Sequence, residues 1–301
     1  MRVAAVDCGT NSVRLLIADV AGERLTDVAR RMEIVRLGEG VDRTGRLAPA
    51  AIERTRQALL GYAAEIAGLG VTAVRMVATS ASRDASNAAD FRAMVRGVLG
   101  VDPEVISGDE EARLSFTGAV RGLAAEPPYL VVDIGGGSTE FVTGRSTTEH
   151  AISVDIGCVR MTERHLGSDP PTPAEIAGAE ADIAAAVDRA LAAVPGREAR
   201  TLVGLAGSVT TVAALALDLP EYDPARIHHA RIGYADVAAV TARLLAATVE
   251  ERRKLPAMHP GRADVIGAGA LILRVIMERS GRPAVVASEH DILDGICFGL
   301  S

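Results

Sequence analysis

The 301-residue chain contains a single lysine, Lys254, so arginine carries nearly all of its positive charge. That lysine lies outside any glycine-rich turn. The phosphate loop GxxxxGK followed by Ser or Thr is therefore excluded, and a lysine Schiff base is argued against. Cysteine is equally sparse: Cys8, Cys158 and Cys297 are far apart, with no CxxC pair and no histidine spacing suited to zinc. An odd, unpatterned count suits a reducing cytoplasm. No apolar run reaches eighteen residues, which argues against a membrane span, and the chain enters a strand-like run straight after Met1, so no signal peptide is expected. HExxH, EF-hand and GxSxG motifs are all missing. The formal charge of −7 argues against a general nucleic-acid binder while leaving room for a local basic cleft.

What is present is a core-forming composition, 49% hydrophobic and 24% charged, in a chain long enough for two domains. Short β-branched runs bounded by turn formers predict strands at "RVAAV", "SVRLLIADV" and "MEIVRLG". Pro49 opens a helix in which Ile52, Leu59, Tyr62, Ala63 and Ile66 share a face. A strand at "TAVRMVATS", a helix at 89–99, a strand at "PEVI" and a helix over about 110–123 follow. The two prolines of "LAAEPPY" (123–129) mark the best linker. Beyond it, strands are predicted at "YLVVDIGGG", "TEFVTG", "HAISVDIG", "TLVGLAGS" and "PAVVAS", with helices over 173–194, 235–247, 262–279 and about 290–299. The mixture predicts an α/β chain divided as 1–123 and 124–301, with the terminal helix (about 289–301) a candidate to pack back on the first domain. The halves also align. Setting Asp7 on Asp133 brings Gly9 onto Gly135 and Ser12 onto Ser138, which reads as a duplication of one β–turn–β unit.

The turn "VVDIGGGSTEF" (131–141) carries the strongest chemical signal. Gly135, Gly136 and Gly137 let the backbone approach a ligand closely, successive N–H groups form an anion nest, and Ser138 and Thr139 add hydroxyl donors. Asp133 would repel bare phosphate, so its position makes sense with Mg²⁺ between them, and Glu140 could complete the metal surround. A structural turn with a capping Asp is the plainer alternative. "DCGTNS" (7–12) then reads as the facing half-site: Asp7 for the metal, Thr10, Asn11 and Ser12 as donors, and Arg14 as a fork for phosphate. In "ISGDEEARLSF" (106–116), Ser107 and Glu110 form a capping box that accounts for Glu110 and leaves Glu111 free to take a proton from water. "ATSASRDASN" (78–87) places Arg83 and Asn87 after a strand, where a ligand rim and a solvated loop remain equally open. Gly207 and Ser208, with Thr210, open a helix that could hold an anion. Adjacent His228 and His229 read as a surface loop. Close packing explains Gly267, Gly269 and Ala270 first, with Arg262 and Asp264 as site residues second.

Seven ordered blocks, "VDCGTNSVRLLI", "ATSASRDASN", "ISGDEEARLSF", "VVDIGGGSTEF", "VDIGCVRMTER", "LAGSVTT" and "RADVIGAGALIL", together resemble the exopolyphosphatase / guanosine pentaphosphate phosphatase family over residues 1 to about 275. The resemblance implies two ribonuclease-H-like domains of the actin, sugar-kinase and heat-shock-chaperone ATPase superfamily, with an interdomain cleft. It implies Mg²⁺-dependent release of terminal orthophosphate from polyphosphate (Mn²⁺ a substitute), with Glu111 as base, Asp133 and Glu140 on the metal, and Thr10–Ser12, Gly135–Thr139 and Arg83 on phosphate. Family habit suggests a cytoplasmic homodimer without nucleic-acid or membrane partners. Guanosine pentaphosphate is the alternative substrate. An ATP-dependent phosphotransferase and a non-catalytic polyphosphate or nucleotide sensor are the rivals from other classes. The chain resembles the short, core-only branch, for which short polyphosphates are the expected preference, and its tail "SEHDILDGI" departs from the family pattern.

Overall fold

The computed structural model describes residues 1–22 and 24–300. The chain is α/β and divides into two compact units, Met1–Gly118 with the segment from Ile292 onward, and Ala119–Asp291. The division falls near the end of the helix Gly108–Val120, ahead of the prolines. The reason is that 123–129 is stitched into the second unit. Thr201 Oγ1 donates to the Glu126 carbonyl, Arg200 N to the Pro128 carbonyl, and the Tyr129 hydroxyl to the Ala125 carbonyl.

In the first unit Arg2–Cys8 (β1), Ser12–Ala21 (β2) and Arg24–Ile34 (β3) form an antiparallel meander. Ala73–Ala78 (β4) and Glu104–Val105 (β5) add parallel strands, giving the order β3-β2-β1-β4-β5. Alternate residues of the apolar runs serve opposite faces. Ala4, Val6, Leu15 and Ile17 face the helices Pro49–Gly68 and Ala88–Leu99 through Leu59, Tyr62, Phe91 and Val95. Val3, Ala5, Leu16 and Ala18 face Ile292, Leu293 and Ile296 of the terminal helix Ile292–Phe298. That helix closes an otherwise open apolar face. A Cβ on its Gly295 would lie 2.0 Å from the Leu114 carbonyl oxygen, and its buried Asp294 accepts from Arg30 Nη2 at 2.8 Å. The divergent tail thus has a packing role in the first unit.

In the second unit Tyr129–Ile134 (β6), Thr139–Gly144 (β7) and Thr148–Val154 (β8) repeat the meander. Thr201–Leu205 (β9) runs parallel to β6, and Arg231–Gly233 (β10) and Ala284–Ala287 (β11) complete the order β10-β11-β9-β6-β7-β8. One core holds the helices Pro173–Ala193, Ala206–Ala216, Tyr234–Ala246 and Ile266–Ser280 against this sheet. Each unit therefore builds the same hairpin followed by the same parallel partner.

Three elements differ from the sequence reading. β3 covers 24–34, whereas the sequence suggested 32–38; it is an edge strand whose polar residues hide its period. Residues 35–38 instead fold over the first glycine turn, with Val35 N and Arg36 N donating to the Asn11 carbonyl. "VDIG" leaves the sheet after Val154 and leads into a helix, Cys158–His165, where the sequence predicts no element.

Candidate active-site half-sites

In the second unit, residues 135–138 join β6 to β7, and Gly135 N donates to the Ser138 carbonyl at 3.0 Å. The turn is held from behind by the helix Cys158–His165. Cys158 N donates to the Gly135 carbonyl (3.0 Å), Val159 N and Arg160 N donate to Gly136 (2.9 and 3.1 Å), and Arg160 Nε donates to Gly137 (2.7 Å). A Cβ on Gly157 would lie 2.3 Å from the Gly136 oxygen, so this approach requires glycine. All three glycine carbonyls are engaged by this one support, two by backbone amides and Gly137 by the Arg160 side chain, which fixes the peptide planes of the turn.

The hydroxyls correct the sequence reading. Thr139, expected on phosphate, is wholly buried and donates through Oγ1 to the Ile156 carbonyl. Ser138 Oγ donates to Glu140 Oε1 at 2.8 Å, and Ser153 Oγ donates to the same oxygen at 2.7 Å. As placed, both residues brace the turn, and backbone amides are its main offering to an anion. Asp133 and Glu140 are direct cross-strand partners, which puts two buried carboxylates on one face of the sheet.

The first unit carries the matching turn. Gly9 N donates to the Ser12 carbonyl at 3.0 Å, the counterpart of the Gly135–Ser138 closure. Thr10 Oγ1 shares a hydrogen bond with Ser80 Oγ (3.0 Å), and Asn11 and Ser12 are half-buried. Gly38 N donates to the Thr10 carbonyl at 2.8 Å, and a Cβ on Gly38 would lie 2.2 Å from Thr10 Cγ2. Asp7 and Arg14 occupy the register positions that Asp133 and Glu140 hold in the second unit. Here the pair is acid and base: Arg14 Nε and Nη2 donate to Asp7 Oδ2 at 3.0 and 2.6 Å. The Arg14 fork assigned to phosphate is thus aimed at Asp7, and the Asp7 carboxylate assigned to metal carries its own counter-ion.

Glu111 lies in the first turn of the helix Gly108–Val120, its N–H donating to the Ser107 carbonyl at 3.0 Å. Ser107 Oγ accepts from Glu110 N at 3.2 Å, while the Glu110 carboxylate lies 3.7 Å from Arg75 Nη2. Only the Ser107 half of the expected capping box forms, because the Glu110 carboxylate turns to Arg75 and makes no bond to the Ser107 N–H. Glu111 is 9% exposed, with Oε2 at 3.4 Å from Arg83 Nη1, and that nitrogen also donates to the Ile106 carbonyl at 3.0 Å. Asn87, from the same block as Arg83, is structural: its amide accepts from Leu47 N and donates to the Leu47 carbonyl.

Gly207 and Ser208 open the helix Ala206–Ala216, and Ala206 sits at φ 67°. A Cβ on Gly207 would lie 1.0 Å from Arg262 Nη1, so the guanidinium occupies the side-chain space that glycine leaves empty. An arginine beside a helix N-terminus makes a donor-rich place for an anion. Sequence reasoning ranks Arg262 behind the packing role of its segment. Its partner, Gly207, is 55 positions earlier (262 − 207), and no local pattern reveals the contact. The three cysteines are buried and unbonded to one another, and burial pushes each thiol upward, Cys297 to about 12. None has the character of a nucleophile.

Among the described residues no group of three or more His, Cys, Asp or Glu side chains is placed to hold a metal. The donor set that fits a hard cation is the Asp133–Glu140 pair. Two oxygen ligands suit Mg²⁺, which keeps several waters, better than they suit Zn²⁺ or Ca²⁺. No helix among the described residues is long and apolar enough to cross a membrane.

The family model described as the Ppx/GppA phosphatase family matches residues 16–300. The chain is 52% identical to Exopolyphosphatase 2 of Mycobacterium tuberculosis, an alignment that covers 100% of this chain and 98% of that one. A crystal structure described as an exopolyphosphatase-like protein superposes with a TM-score of 0.97 at 43% identity, covering 100% and 97% of the two chains. The Aquifex aeolicus member of the Ppx/GppA family superposes at 0.85 with 33% identity over 100% and 97%.

Proposed function

The chain belongs to the Ppx/GppA phosphatase family, and from that premise we propose that it is an exopolyphosphatase, a hydrolase that removes terminal orthophosphate from inorganic polyphosphate. The observation that carries this reading is the near-complete alignment with an exopolyphosphatase at 52% identity.

The division of labour follows from the half-sites. The glycine turn at 135–137 offers amides to phosphoryl oxygens, with Arg262 and the helix opening at Gly207–Ser208 adding donors. Asp133 and Glu140 would hold Mg²⁺, which when bound neutralises phosphoryl charge. Ser138 and Ser153 fix the Glu140 carboxylate through Oε1. Arg83, tied to the Ile106 carbonyl, fixes the direction of the Glu111 carboxylate. Glu111 takes a proton from water as the oxygen attacks the terminal phosphorus, and the bond to the bridging oxygen breaks in line, releasing the shortened chain.

Guanosine pentaphosphate is the alternative substrate that the resemblance to the Ppx/GppA family implies. Orthophosphate release by the purified protein from polyphosphates of defined length and from guanosine pentaphosphate, each with and without Mg²⁺, tests the reading. Mg²⁺-dependent release from polyphosphate supports it, with short chains favoured. Release from the nucleotide alone would transfer the assignment to it, and a phosphorylated acceptor formed without free phosphate would make the protein a phosphotransferase.

A further inference from the structure

A cavity of about 390 Å³ lies in the second unit, lined by Leu123, Glu126, Arg200, Thr201, His229, Arg231 and Val286 among others. It is distinct from the half-site of that unit. Thr201 begins β9, whereas the Gly207–Ser208 junction follows the other end of that strand, and β11 and β9 separate β10 from the β6–β7 turn in the sheet. Its volume falls in the range of small-molecule sites.

Its polar groups include one buried atom unpaired among the described residues, the His229 Nε2. The exposed Arg231 side chain makes no hydrogen bond or ion pair to any described residue, while its backbone is fixed in β10 opposite Val286 of β11. Arg200 lies on the same wall in an exposed ion pair with Glu126 at 3.1 Å. His229 Nε2 is buried and has no hydrogen-bond partner among the described residues. His229 also sits at φ 64°, in the left-handed region that non-glycine residues seldom occupy. Its N–H donates to the Ala287 carbonyl at 2.7 Å and its ring stacks on His228 with centroids 3.7 Å apart, which together hold this conformation. Residues 228–229 are therefore a built, half-buried segment and not the surface loop expected from adjacent histidines. Burial, with His290 second, pushes the His229 imidazole below its usual value, so it meets a ligand as a neutral ring. Leu123 and Val286 give the cavity an apolar side.

We propose that this cavity is a second ligand site that takes a small phosphomonoester, its oxyanion on Arg231 and His229 and its organic part against Leu123 and Val286. Two arginines against one glutamate leave the wall net positive in a chain of net charge −7, which selects for an anion. The apolar side selects against inorganic phosphate alone. None of these residues takes part in the reaction proposed above.

Titration calorimetry on the full chain with adenosine monophosphate, orthophosphate and adenosine tests it, with amide chemical shifts locating the site. Adenosine monophosphate should bind more tightly than orthophosphate, adenosine should not bind, and the shifts should centre on Thr201, His229 and Arg231. Arg231→Ala should weaken binding at least tenfold, while Arg145→Ala, an exposed arginine of the same unit outside the cavity, should leave it unchanged. His229→Asn, which tolerates the left-handed backbone, should weaken binding without lowering the melting temperature. Equal affinity in Arg231→Ala and the parent, shifts confined to 133–140, or orthophosphate matching the nucleotide would each overturn the proposal.

Discussion

At the scale of single residues, two glycines outside the signature turns govern the turns themselves. Gly38 approaches Thr10, and Gly157 approaches the carbonyl of Gly136, at distances no Cβ tolerates. Gly38→Ala should push Thr10 off its hydrogen bond with Ser80. We expect kcat with polyphosphate to fall at least tenfold while the melting temperature moves by only a few degrees, since the displaced atoms are a side-chain methyl and a turn. Thr139→Val keeps shape but removes the donor to the buried Ile156 carbonyl. An unsatisfied buried acceptor costs about 1–3 kcal/mol, which urea denaturation would register as a lower midpoint with an unchanged slope. Unchanged stability in Thr139→Val would return that hydroxyl to ligand binding.

At the scale of elements, legibility followed sequence distance. The helix Pro49–Gly68 was readable because its proline start, apolar stripe and closing glycines are all local. The glycine hairpins were readable because the acid, the glycines and the hydroxyls fall within one turn. What the hydroxyls do was not readable, since Thr139 finds Ile156 and Thr10 finds Ser80 across the fold. The same limit hid Arg262 behind Gly207, and the Arg14–Asp7 pairing needed the β1–β2 register. The helix Pro173–Ala193 offers a test of local rules. Thr172 and Glu175 form a reciprocal capping box, and hydrogen bonds from the Thr172 backbone, then its side chain, hold Glu175 down to about 2. Thr172→Ala should cost ~1 kcal/mol. Because the folded value of Glu175 is depressed, its contribution is fully present above the ordinary 4.5 and is lost as pH falls from there through about 2. Carbon-detected NMR titration of the Glu175 carboxyl should give that low midpoint, and Thr172→Ala should raise it.

At the scale of the whole chain, two hairpins of matching register differ in charge. One hairpin carries Asp7 with Arg14, and its repeat carries Asp133 with Glu140 at the same register positions. The first is self-neutralised, and the second sets two carboxylates opposite each other, the pair proposed above for Mg²⁺. The terminal helix joins this division of labour, because Gly295 rests on the carbonyl of Leu114 one turn beyond Glu111 in the same helix. Gly295→Ala should therefore lower stability by about 1–3 kcal/mol and reduce kcat with polyphosphate more than KM, since the helix carrying the base must move.

The central claim, that Glu111 primes the water in a polyphosphate hydrolase, is tested most directly by steady-state orthophosphate release from polyphosphate by Glu111→Gln at saturating Mg²⁺. Losing one general base removes a factor of about 10²–10⁴. The account predicts a fall of that size in kcat, with an unchanged melting temperature and retained polyphosphate binding. Turnover within twofold of the parent would contradict it.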